Sequence, residues 1–155
     1  MALRTGWAER IEAGTGPVIS CIDGSDGSRS AARVAALLHD RLDLRLILLS
    51  VASKVMQPGV SAVPHGPERL AEEERRAAEE LLRDVAADIG ATDAQLRVEY
   101  GAAADRVLEV CEAEGAAFLV LGSRGRGRMK AAVLGSVSHD VAARAPCPVI
   151  VVPAQ

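Results

Sequence analysis

The chain has 155 residues and a formal net charge of −3, with 18 Lys and Arg against 21 Asp and Glu. Hydrophobic residues at 49% and charged residues at 25% describe one domain with a single core, which excludes a disordered chain and weakens any role that needs an overall basic field. Aromatics at only 2% exclude a base-stacking platform for single strands and leave the core to Ala, Val, Leu and Ile.

Residues 1–15 contain the single Trp (Trp7), mixed charges and no sustained period, and read as a flexible, poorly ordered extension ahead of a domain over 16–155. The opening MALRTGWAER lacks the apolar run of a secretory leader, so the cytoplasm is the expected compartment. No apolar run approaches the ~20 residues of a membrane span. Residues 18–22 form a first strand, apolar on both faces, that runs into the turn DGSDGS at 23–28. A helix over 28–41 follows, with Ala31, Val34, Ala35, Leu37 and Leu38 at helical spacing. Residues 44–51 form a second, almost continuously apolar strand. The stretch 52–67, with three prolines, two glycines and no period, reads as a disordered crossover or a flap over a ligand.

A long helix is predicted over 68–89, with Leu70, Ala78, Leu81, Leu82, Val85 and Ile89 as its buried stripe. Its pairs Glu72 with Arg76 and Glu79 with Arg83 lie four apart on a solvated face. Residues 95–100 alternate, Leu96, Val98 and Tyr100 one way and Gln95, Arg97 and Glu99 the other, which is the pattern of an edge strand. A helix over 104–114, a buried strand over 116–121, a helix ending near Arg144 and a last strand over 148–152 complete the chain. Strands alternating with helices imply right-handed crossovers around an open five-stranded parallel sheet, a Rossmann-like α/β fold with helices on both faces. With the alternating third strand at an edge, the order is 3-2-1-4-5. The switch point then falls between strands 1 and 4, whose carboxyl ends carry Asp23 and Gly122.

The segment GSRGRGRMKAAVLGSVS, residues 122–138, sits at that point between a strand and a helix start. Glycines let backbone approach an anion closely, and a helix start offers N–H groups and a favourable dipole. The spacing of Gly122, Gly125, Gly135 and Ser136 is neither GxxxxGK[ST] nor GxGxxG. Ser136 and Ser138 are placed to cap the helix or to contact an oxygen. Asp23 is suited either to an Asx-turn or helix cap, or to holding a ribose hydroxyl or a divalent metal. Arg124, Arg126, Arg128 and Lys130 put four cations in seven residues. One or two could neutralise phosphates, whereas no helix-turn-helix pattern supports nucleic acid. Cys21, Cys111 and Cys147 lack CxxC spacing and read as small buried hydrophobes. His39, His65 and His139 have no metal-ligand spacing, and no GxSxG elbow is present.

The glycine spacing, with the ending APCPVIVV and the first strand closing on Asp23-Gly24-Ser25, resembles the ATP-binding type of the universal stress protein family over roughly residues 16–153. The resemblance implies a sheet of the adenine nucleotide alpha hydrolase type. It also implies an ATP or other adenine nucleotide site, possibly with Mg, built from Asp23, Val51, Gly122, Arg124, Gly125, Gly135, Ser136 and Ser138. Val51, which the residues alone would place in the core, is the position implied to meet adenine through its backbone. A nucleotide-responsive regulator is implied, acting through an unknown protein partner and dimerising through Val149–Val152. A slow metal-dependent ATPase or autokinase using Asp23 is the alternative, and an interaction module with a vestigial pocket is a further rival. The chain departs from many members in GAAAD at 101–105, which lacks their proline and predicts a looser helix start. The HIGH-type motif of nucleotidyl transferases and the SGGxDS of pyrophosphatases are both absent.

Overall fold

The computed structural model describes residues 6–52, 66–123 and 134–154, and the side chains of 66–68 are not among those described. In chain order the elements are α1 (Trp7–Glu12), β1 (Val18–Cys21), α2 (Asp26–Leu42), β2 (Leu46–Ala52), α3 (Gly66–Asp88), β3 (Gln95–Tyr100), α4 (Ala103–Glu114), β4 (Phe118–Gly122), α5 (Ser136–Arg144) and β5 (Val149–Val152). The strands form one sheet in the order β3-β2-β1-β4-β5, and every pairing is parallel. This is the order that the alternating third strand implied.

Strand register divides the core into two layers. Val18 lies beside Leu46, and Ser20 beside Leu48 and Val120. The side chains of Val18, Ile22, Leu46, Leu48 and Val120 meet Ala31, Ala32, Ala35 and Ala36 of α2 and Leu82, Val85 and Ala86 of α3. The alternate set, Ile19, Ile47, Leu49, Leu119 and Leu121, meets Val107, Val110 and Cys111 of α4 and Val141 of α5. Strands buried on both faces need no alternation, which is why β1, β2 and β4 read as apolar runs. The four alanines of α2 let that helix sit close to the sheet, in keeping with a core almost free of aromatics.

The predicted pairs of α3 form, with Arg75 added between them: its guanidinium reaches Glu72 at 2.7 Å and Glu79 at 2.6 Å. Arg76 pairs with Glu72 at 3.0 Å, and Arg83 with Glu79 at 3.3 Å. On β3, Arg97 meets Glu99 and the Glu114 carboxylate of α4, each at 2.7 Å, so the wet face of the edge strand is charge-paired.

Two expectations change. Part of the stretch read as a poorly ordered extension is helix α1, too short to show a period. Glu9 accepts the Gly6 N–H at 3.2 Å, and Arg10 Nη2 donates to the Ala116 carbonyl at 3.1 Å, which docks the helix beside the start of β4. Leu37 is 59% exposed and Leu70 is 40% exposed, so neither belongs to the buried stripe of its helix. The start of α4 does lack a side-chain cap at Ala102, as GAAAD suggested.

Candidate functional site

Helices α2 and α5 follow directly from β1 and β4, so both begin at the carboxyl edge of the sheet, at the switch in strand order. The turn between β1 and α2 is closed by its own polar groups. Asp23 Oδ1 accepts the Ser25 N–H at 2.9 Å and the Ser25 hydroxyl at 2.5 Å, which is an Asx-turn. Ser25 Oγ in turn accepts the Ser28 N–H at 3.2 Å, making Ser25 the N-cap of α2. Ser28 Oγ donates to the Ser25 carbonyl at 2.9 Å and receives the Asp23 N–H at 3.4 Å. The helix therefore begins at Asp26, two residues earlier than the periodicity placed it. Ser25 and Ser28 escaped the sequence reading, although a serine three residues ahead of another polar residue after Asp-Gly is a capping signal.

Gly122 ends β4 against this turn. A Cβ there would lie 2.6 Å from the Gly27 carbonyl carbon, 2.9 Å from its oxygen and 2.9 Å from the Ser28 nitrogen. Glycine at this position is thus required by the packing of α2 on β4, whatever ligand the crevice takes.

At α5, Gly135 is the N-cap, and among the described residues no side chain caps the helix. The Gly135 N–H donates to the Ser123 carbonyl at 2.9 Å and the Ser123 N–H to the Val152 carbonyl at 2.8 Å, which fixes where the glycine segment leaves β4 and where it re-enters α5. Ser136 is exposed at the first helical position. Ser138 is buried, and its hydroxyl donates to the Gly122 carbonyl at 2.8 Å, tying α5 to the end of β4. Val51 is half-buried near the end of β2, in the layer covered by α4 and α5 that also holds Cys21. Arg124 and Gly125, with Arg126, Arg128 and Lys130, lie outside the described residues. Burial, with the Asp23 charge adding, pushes the Cys21 thiol at the foot of the turn up to about 12, so it is a neutral neighbour of the site. Among the described residues no group of three or more His, Cys, Asp or Glu is placed to hold a metal, and no helix is long and apolar enough to cross a membrane.

Fold and site together define an open α/β protein with a crevice at the topological switch, the class that seats a small ligand above the carboxyl ends of parallel strands. The model of the universal stress protein family matches residues 15–153, and the chain belongs to that family. It is 30% identical over 144 residues to the universal stress protein YxiE of Bacillus subtilis, covering 87% of this chain and 97% of that one. Among solved structures it resembles the universal stress protein UspA from Lactobacillus plantarum, with a TM-score of 0.77, 22% identity and coverage of 88% and 97% of the two chains. A universal stress protein solved in complex with cAMP gives a TM-score of 0.67 at 26% identity, covering 91% of this chain and 98% of that one.

Proposed function

We propose that this universal stress protein binds an adenine nucleotide in the crevice between the ends of β1 and β4. It would act in the cytoplasm as a nucleotide-responsive regulator working through a protein partner. The observation that carries the reading is the start of α5: a glycine N-cap without a side-chain cap bond, preceded in sequence by a glycine-rich segment and placed at the switch point. Such an end offers a phosphate several N–H groups and the positive pole of the helix. That a relative 26% identical is solved with cAMP supports the same ligand class.

The residues divide by role. Ser136, at the helix start that Gly135 opens, presents its N–H and hydroxyl to the phosphates, with Gly125 and Arg124 of the adjoining segment as further phosphate ligands. Asp23 accepts a ribose hydroxyl, and the Val51 backbone meets the base. Gly122 and Ser138 hold β4, α2 and α5 in register. A divalent metal, where one accompanies the phosphates, would neutralise their charge, with Asp23 as the carboxylate that would hold it.

Binding rather than turnover is the proposed function, supported by the Asp23 carboxylate being engaged by the Ser25 N–H and hydroxyl. The protein acts as a homodimer through Val149–Val152, an apolar edge strand that carries no charged residue and that no further strand among the described residues pairs on its outer side.

Calorimetric titration with ATP, ADP, AMP and cAMP, with and without Mg, tests the site. Ser136→Glu discriminates well, since an acid in the first turn suits the helix yet repels a phosphate. The parent is expected to bind at least one of the four, and the variant to lose that binding at an unchanged melting temperature. A parent that shows no binding at about 1 mM ligand, weaker than about −4 kcal/mol, or a variant that binds as the parent does, overturns the assignment.

A further inference from the structure

The three cysteines come from distant parts of the chain and meet in one layer. Cys21 of β1, Cys111 of α4 and Cys147 before β5 all belong to the apolar cluster under α4 and α5. Strand register, with Leu119 beside Val149, sets Cys147 level with Ala117, next to Ala116, whose N–H the Cys111 carbonyl accepts, so the Cys111 and Cys147 thiols are neighbours that act on each other. Cys111 lies in the last turn of α4, where its carbonyl accepts the Ala116 N–H at 2.9 Å. Cys147 lies in the short link from α5 to β5, between Pro146, which is exposed, and Pro148. Cys111 is 1% exposed and Cys147 7%, so Cys147 is the nearer of the two to solvent. Helix α1 brings a cation to the same place, since Arg10 docks on Ala116 and its charge acts on Cys147.

We propose that Cys111 and Cys147 are a redox-active thiol pair, oxidised by a hydroperoxide to an intramolecular disulfide that ties α4 to the entry of β5. The roles of the two sulfurs differ. The interaction with Cys111, with the Arg10 charge adding, holds the Cys147 thiol below the ordinary thiol range against the effect of its burial. The interaction with Cys147 and then burial push the Cys111 thiol up. Cys147 is therefore the attacking sulfur and Cys111 the resolving one.

In the first step the Cys147 thiolate attacks a peroxide oxygen. The O–O bond breaks, an S–O bond forms, and the departing oxyanion takes a proton; Cys147 loses two electrons to become a sulfenic acid. In the second step the Cys111 sulfur attacks the sulfenic sulfur. The S–S bond forms, the S–O bond breaks, and hydroxide leaves with the Cys111 proton as water. Two thiols and one hydroperoxide thus give one disulfide, one water and one alcohol, or two waters when the oxidant is hydrogen peroxide. Cys21 has no part, because burial beside Asp23 keeps it a neutral thiol.

The test uses the full chain in its folded state. Protein treated with hydrogen peroxide is blocked with iodoacetamide and digested without reduction, and the peptides are identified by mass spectrometry. A Cys111–Cys147 cross-link that dithiothreitol reverses is expected in the parent and in Cys21→Ser. Cys111→Ser is expected to stop at a sulfenic acid on Cys147 that dimedone captures, and Cys147→Ser to leave Cys111 reduced. A folded parent whose pair stays reduced, or whose cross-link runs to Cys21, overturns the proposal. So does a Cys147→Ser protein in which Cys111 oxidises as fast as in the parent.

Discussion

Replacing Gly122 by alanine separates the packing of the site from its ligand chemistry. The added methyl would stand 2.6 Å from the carbonyl carbon of Gly27, and 2.9 Å from both the Gly27 oxygen and the Ser28 nitrogen. All three are backbone atoms, so no rotamer change relieves the contact, and the first turn of α2 must move off β4. That helix is anchored behind the contact by Ala31, Ala32, Ala35 and Ala36, each buried on the sheet. Overpacking of this kind costs about 1–3 kcal/mol, and rigid neighbours place it at about 2–3. Gly122 does not have a positive φ, so alanine also stiffens the unfolded chain and returns about 0.4–1 kcal/mol. The net loss of about 1–2.5 kcal/mol lowers the melting temperature by about 2–10 °C for a chain of this length. Thermal melts followed by circular dichroism measure it, beside nucleotide titrations of the same samples. A variant that melts with the parent yet no longer binds nucleotide would refute the reasoning, because the glycine would then serve the ligand and not the helix.

Four further outcomes are expected. Ser25→Ala removes the cap of α2 and the hydroxyl hydrogen bond to Asp23 Oδ1 while keeping the backbone one, and should destabilise the fold by about 1–2 kcal/mol in urea titrations; loss of the cap below about 0.5 kcal/mol would count against the turn described. Val151→Lys places a charge in β5 and should turn a dimer into a monomer in sedimentation velocity, while a parent that sediments as a monomer at micromolar concentration removes the basis for that edge pairing. Hydrogen bonds from Arg75 and Arg76 hold the Glu72 carboxyl below the usual carboxylate range, so its contribution is present at neutral pH and is lost as the pH falls through that lowered value. The melting difference between Glu72→Gln and the parent should therefore close on acidification, and a difference independent of pH would show that the charge is not its source. ATP hydrolysis should run well below the roughly 1 per second at which ordinary enzyme turnover begins, and faster turnover abolished by Asp23→Asn would favour an ATPase instead.

What the sequence determined by itself was whatever is local or periodic. Strands β1, β2 and β4 were legible because burial on both faces leaves uninterrupted apolar runs, and β3 because one wet face makes Leu96, Val98 and Tyr100 alternate with charges. From that edge assignment the strand order followed, and with it the meeting of Asp23 and Gly122 at one crevice. The glycine spacing of residues 122–136 carried the family in the same way. Tertiary structure decided what depends on which distant backbones come into contact. It brought Arg10 to the carbonyl of Ala116, 106 residues away, and so made a helix of a stretch with no period. It turned the Ser138 hydroxyl inward onto Gly122 and left Leu37 and Leu70 outside the core, because helical spacing says which residues share a stripe but not how far the neighbouring element reaches. It placed Gly27 against Gly122 and Cys111 against Cys147. Neither contact leaves a mark in composition or period, since each arises only when a helix settles onto the sheet against a strand or link from a distant part of the chain.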